Sequence, residues 1–241
     1  MFYLLKTLLI MLITFLHKNS LVYIIFLKIL YQMPENVHIF LQNILNFPLL
    51  WCIIRVTLQD MMEATLNIRL PFTKEIIKQL KAGDTISVSG VMYTARDAAH
   101  KRMMQALSSG EPLPFDVEGQ TIYYAGPCPA KPGAVIGSCG PTTSGRMDSY
   151  TPTLLDLGLI AMIGKGERSS EVLASMKKNG AIYLGAIGGA GALYADSIKK
   201  VEVIAYEDLG PESVKRLEVE NMPLTVICDI HGNNLYDLAK Q

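Results

Sequence analysis

Twelve consecutive positions, Gly137-Ser-Cys-Gly-Pro-Thr-Thr-Ser-Gly-Arg-Met-Asp148, put glycines, hydroxyls, a cation and a carboxylate into one short stretch. Glycine lets a backbone come close to a ligand. Thr142, Thr143 and Ser144 add donors, and Arg146 adds a planar fork that matches a carboxylate. The same run would also serve as a surface turn whose hydroxyls cap the following helix, and the residues alone leave both readings open. A second cation stands in Thr94-Ala-Arg-Asp-Ala-Ala-His100. A helix beginning at Thr94 has Arg96 in its first turn, where the dipole favours an anion; a cation there points to a ligand, or to an ion pair with Asp97 or a Glu elsewhere in the chain. His100 shares that helix face, although a solitary histidine is more often structural than catalytic. Lys165, the third cation, is bracketed by Gly164 and Gly166 just after the apolar run Leu159 to Ile163. Ligands of α/β sheets bind at such strand ends, and a solvated turn lysine is the plain alternative.

Two familiar nucleotide motifs are ruled out by spacing. Gly164-Lys-Gly166 lacks the Gly-x-x-x-x-Gly-Lys of a phosphate loop, and the glycines from Gly185 to Gly191 lack the Gly-x-Gly-x-x-Gly order. Separated cations held at fixed positions suit a small dicarboxylate substrate. The whole-chain balance of 22 basic and 22 acidic residues gives no net field for nucleic acid or an anionic membrane surface. Cys52, Cys128, Cys139 and Cys228 are scattered, with no C-x-x-C pair and no metal-ligand spacing, so they predict no metal site and fit a reducing cytoplasm.

The elements that must hold these groups lie beyond a sharp composition break. Met1 to Asp60 contains neither Gly nor Ala, and all 19 glycines follow it. Its apolar stretches, Phe2 to Leu16 and Leu21 to Met33, fall short of the ~20 uninterrupted residues of a spanning helix. A membrane anchor is therefore disfavoured, and a signal peptide lacks its small-residue cleavage site. The preferred expectation is a start codon placed too early, with Met61 or Met62 as the beginning of a single α/β domain over 61–241; a hydrophobic helical extension is the alternative.

Within that domain, strands are expected at Thr65 to Leu70, Thr85 to Tyr93, Thr121 to Ala125, Ala134 to Ile136, Leu159 to Ile163, Ala181 to Ile187, Val201 to Tyr206 and Leu224 to Ile230. Thr73 is expected to cap a short helix, Thr94 with Asp97 to open one running to about Leu107, and Ser169 or Ser170 to cap one stopped by Gly180. Gly158 should close a helix ending at Leu157, and Gly188 to Gly191 should form a flexible turn.

Arg96-Asp-Ala-Ala-His100, Gly140-Pro-Thr-Thr-Ser-Gly-Arg-Met-Asp148 and Gly164-Lys-Gly166, in this order, resemble the C-terminal region of class I fumarases and the β subunit of L(+)-tartrate dehydratases. The likeness runs from about Leu66 to Tyr236. It implies a swivelling β/β/α domain and a hydro-lyase that interconverts fumarate and malate. Tartrate dehydration to oxaloacetate, or a non-catalytic anion-binding module, is the alternative. It also implies a 4Fe-4S cluster held by three Cys thiolates of a separate α subunit, within a heterotetramer, and not ligated by this chain. By the same resemblance Thr142 is the base that exchanges the proton beside a carboxylate. Arg96, Thr143, Arg146 and Lys165 then bind the substrate, and Asp97 and Asp148 orient the arginines.

Overall fold

A computed structural model describes residues 65–239. The expected misplaced start falls in the segment up to Asp60, outside the described residues. Strand β1 (Leu66–Arg69) runs parallel to β2 (Thr85–Thr94). Helix α1 (Lys74–Gln79) joins them, with Thr73 as its N-cap accepting the Ile76 N–H at 3.3 Å and Ile77 and Leu80 buried beneath it. From β2 the sheet continues in parallel through β3 (Thr121–Tyr123), β4 (Ala161–Gly164) and β5 (Ile182–Gly185). Strand β7 (Val214–Cys228) then runs antiparallel to both β5 and β2. These pairings close a ring β2-β3-β4-β5-β7, with β1 outside β2 and β6 (Ile198–Ala205) outside β7. The architecture is mixed α/β on a closed, barrel-like sheet.

Period-two alternation along the strands sorts side chains into two cores. Tyr123, Ile163, Ile182, Leu184 and Val226 join Ile77 of α1 and Tyr194 of α5 (Gly191–Ser197). Their neighbours Ile122, Met162, Tyr183 and Ile227 point the other way. There they meet α2 (Asp97–Ser108) through Met103, α3 (Thr151–Asp156) through Leu154, and α4 (Ser170–Asn179) through Val172 and Met176. Ser169 caps α4 by accepting the Val172 N–H at 3.3 Å, and Gly180 ends it at φ 65°, a start and stop that the residue types predicted. A short α6 (Leu235–Leu238) follows β7. No helix among the described residues is long and apolar enough to cross a membrane.

Four local expectations need correction. Ala134 to Ile136 forms no strand: Ala134 and Val135 are exposed, and the Ala134 N–H closes a turn on the Lys131 carbonyl at 3.0 Å. Thr94 does not open α2; it is the buried last residue of β2, where its hydroxyl accepts the Lys215 N–H at 3.2 Å, and the helix begins at Asp97 with Arg96 as its N-cap. The glycine turn before Gly191 leads into α5, which its weak periodicity concealed. Strand β7 begins at Val214, ten residues before the predicted Leu224, because Asn221 at φ 50° interrupts the alternation without ending the strand.

Candidate functional site

Arg96, Thr142, Thr143 and Lys165 all lie just past the carboxyl ends of the parallel strands, the usual place for a ligand in such sheets. Arg96 follows β2 directly, its backbone extended at φ −118° and ψ −165°. The Gly126 backbone after β3 runs beneath the Arg96 side chain so closely that a Cβ there would lie 2.7 Å from Nη1 and 3.0 Å from Cδ. The threonine loop is stitched to its neighbours by main-chain bonds. The Thr142 N–H donates to the Tyr124 carbonyl at 2.7 Å, the Lys165 N–H to the Thr142 carbonyl at 3.3 Å, and the Ser144 N–H to the Lys165 carbonyl at 2.8 Å. Thr143 and Lys165 therefore pair as a short parallel bridge, which brings two distant sequence motifs together. Gly164 makes the approach possible, since a Cβ there would overlap the Ser144 hydroxyl and crowd Tyr124.

The cations divide into two kinds. Arg96 lies 3.2 Å from Glu212 Oε1 and 3.8 Å from Asp97 Oδ2, and Arg146 donates to the same Asp97 carboxylate. Asp97 thus contacts both arginines at once. Lys165 is exposed and has no carboxylate partner among the described residues; its stem lies over Gly188, where a Cβ would sit 3.5 Å from Nζ. The Thr142 and Thr143 hydroxyls are likewise free of hydrogen bonds to other described residues. Free donors, one unpaired ammonium and two guanidinium groups at one sheet rim form an anion-binding constellation.

Asp148 takes a different partner from the one expected. Its Oδ1 accepts Arg168 Nε at 2.8 Å and its Oδ2 accepts the Ser169 N–H at 2.6 Å, so it braces Arg168, not Arg146. Arg168, whose side chain is fully buried, also donates to Thr151 Oγ1 at 2.7 Å and lies over the Tyr124 and Tyr183 rings at 5.3 and 5.2 Å. Ser144 and Tyr183 hydroxyls are 2.8 Å apart, and the Tyr183 hydroxyl donates to the Gly166 carbonyl at 2.9 Å. Sequence reasoning missed Arg168 and Glu212, because neither sits in a glycine-framed motif. The one available signal was Arg168 within four residues of a fully buried strand.

A metal cluster finds no cradle in this part of the chain. Among the described residues no group of three His, Cys, Asp or Glu side chains can hold a metal. Cys128 is exposed, while Cys139 and Cys228 are buried, and burial pushes their thiols up to about 12. The described residues do not fit an iron-sulfur cluster.

The family model described as the fumarase C-terminus matches residues 51–239. Fumarate hydratase 2 of Leishmania major is 41% identical over 165 residues, covering 68% of this chain and 29% of that protein. The aerobic class I fumarate hydratase of Escherichia coli K12 is 40% identical over 168 residues, 68% of this chain and 31% of its own length. A Methanocaldococcus jannaschii protein provisionally named L(+)-tartrate dehydratase subunit beta is 42% identical over 182 residues, 73% of this chain and 92% of its own. The chain thus spans less than a third of these fumarate hydratases but nearly all of the subunit-sized relative.

Proposed function

Because the chain belongs to the fumarase C-terminus family, we propose that it is the β subunit of a cytoplasmic hydro-lyase that interconverts fumarate and malate, working with a cluster-bearing α subunit in a heterotetramer. Its described part is then the swivelling β/β/α domain, and its task is to grip the dicarboxylate and move a proton. The observation that carries this reading is the pairing of Thr143 with Lys165, which joins an unpaired ammonium to two free hydroxyls at the rim that also holds Arg96 and Arg146.

In the dehydrating direction Thr142 takes the proton from the carbon next to one carboxylate, the electron pair forms the double bond, and hydroxide leaves the adjacent carbon. A threonine hydroxyl is a poor base unless its alkoxide is stabilised, and the neighbouring cations supply that stabilisation. Arg96, Arg146 and Lys165 hold the carboxylates so that the proton faces Thr142. Dehydration of L(+)-tartrate to oxaloacetate is a second reading, favoured by the match across 92% of the subunit-sized relative.

The test uses Thr142→Ala and Lys165→Ala, each co-produced with the α subunit and assayed with malate, fumarate and tartrate. Loss of the base should lower kcat by about 10²–10⁴-fold. Lys165→Ala should chiefly raise KM, by roughly tenfold or more. Undiminished turnover in both variants would leave a non-catalytic anion-binding module. The better substrate of the wild-type complex decides between the two dehydrations.

A further inference from the structure

Arg96 is a poor cap for the helix it begins. Its side chain makes no capping bond, and a guanidinium in this position meets the positive end of the helix dipole. Glu212, 114 residues beyond Ala98 along the chain, relieves both faults. Its Oε2 accepts the Ala98 N–H at 3.1 Å, capping α2 from outside, while Oε1 lies 3.2 Å from Arg96 Nη2. Gly126 supports the guanidinium from another side, so the group is held between a carboxylate and a glycine backbone.

The segment that carries Glu212 is itself anchored. Residues 206–213 form a short strap with left-handed Tyr206 at φ 57° and a kink at Gly210. Lys215, on β7 and only 8% exposed, turns its ammonium back under the strap. Its Nζ donates to the Gly210 carbonyl at 3.0 Å and the Pro211 carbonyl at 3.2 Å, and also meets the Ser213 hydroxyl. Among the described residues it has no carboxylate partner, so its bonds are spent on fixing backbone. Arg102 clamps the strap's other end through a two-pronged contact with Asp208 at 2.7 and 2.8 Å.

We infer that Glu212, fixed in place by Lys215, is a positioning residue that sets the Arg96 guanidinium for the substrate carboxylate. This rests on the dicarboxylate reading of the rim for its catalytic consequence, but not for the geometry of Arg96. Glu212 leaves Arg96 its remaining donors while removing the freedom of a long side chain, so a substrate meets a preorganised fork.

The test separates the two. In the full-length chain, labelling of arginines by phenylglyoxal, followed by mass spectrometry, reads how tightly Arg96 is held. Glu212→Ala should label Arg96 several-fold faster than wild type with buried Arg168 unchanged, and Lys215→Met should shift Arg96 in the same direction. Glu212→Gln keeps an acceptor oxygen and should fall between. In the complex with the α subunit, Glu212→Ala should raise KM for the dicarboxylate roughly tenfold with a much smaller change in kcat. Glu207→Ala, on the same strap, should leave both constants unchanged. Unaltered Arg96 labelling in Glu212→Ala, or a KM no higher than that of Glu207→Ala, overturns the inference. A wild-type complex that turns over no dicarboxylate defeats the functional reading, while the labelling comparison still decides the role of Glu212.

Discussion

His100 lies beneath the residue whose position matters most. Its Nδ1 is 2.9 Å from the Arg96 carbonyl, which can only accept, so Nδ1 carries a proton. Its Nε2 is buried without a partner among the described residues, and the ring packs edge-on against Tyr124 and face-on against Tyr150. Burial pushes its pKa down to about 4, against a partial upward pull from the Arg96 carbonyl and a further downward push from Arg168. Between pH 6.5 and 4 the unfolded chain takes up a proton that the folded one refuses, so stability falls as pH falls through that window. The loss is about 3 kcal/mol by pH 4. Urea unfolding of wild type and His100→Gln at pH 7 and pH 4 checks it: the wild type should lose that increment and the glutamine variant should not. The sequence suggested a structural histidine by its solitude, and burial supplies the reason.

At the scale of elements, the decisive contacts join loops that follow different strands. The glycine-framed motifs were readable because a ligand-approaching backbone needs small residues, and Gly164 does abut Ser144. What could not be read was which carboxylate meets which cation, since that depends on strand order and not on spacing. Asp148 reaches Arg168 because β4 lies beside β3, so that the loop after β3 and the turn after β4 stack. Thr94 misled in a related way: an N-cap residue type three positions before an acid also fits a strand end, and pairing with β7 decided the matter. The Arg168 to Asp148 pair ties the threonine loop to the lysine turn from below. Arg168→Ala would leave a largely buried carboxylate uncompensated and should cost about 3–5 kcal/mol by urea unfolding. Arg168→Met combined with Asp148→Asn should recover part of that loss, whereas equal losses in the single and double variants would mean the pair contributes only by packing.

Across the whole described unit, β7 determines what unfolds together. It pairs with β2 along one edge and with β5 and β6 along the other, so β7 cannot leave the sheet without breaking contacts to three strands. Its buried positions Leu217, Val219, Met222, Leu224 and Val226 belong to one core cluster, and Val214, Ile227 and Cys228 to the other. The strap at 206–213, by contrast, is half exposed, and side-chain anchors from Arg102 and Lys215 tie it down. Amide hydrogen exchange on the full chain should therefore show the paired amides of β7 and β2 exchanging only by global opening. Strap amides should exchange by local opening, roughly three orders of magnitude faster or more. If β7 amides instead exchanged as fast as the strap, the ring would open locally at its closing strand. Arg96 would then lose its fixed neighbour Glu212 without the molecule unfolding, because the strap enters β7 directly at Val214.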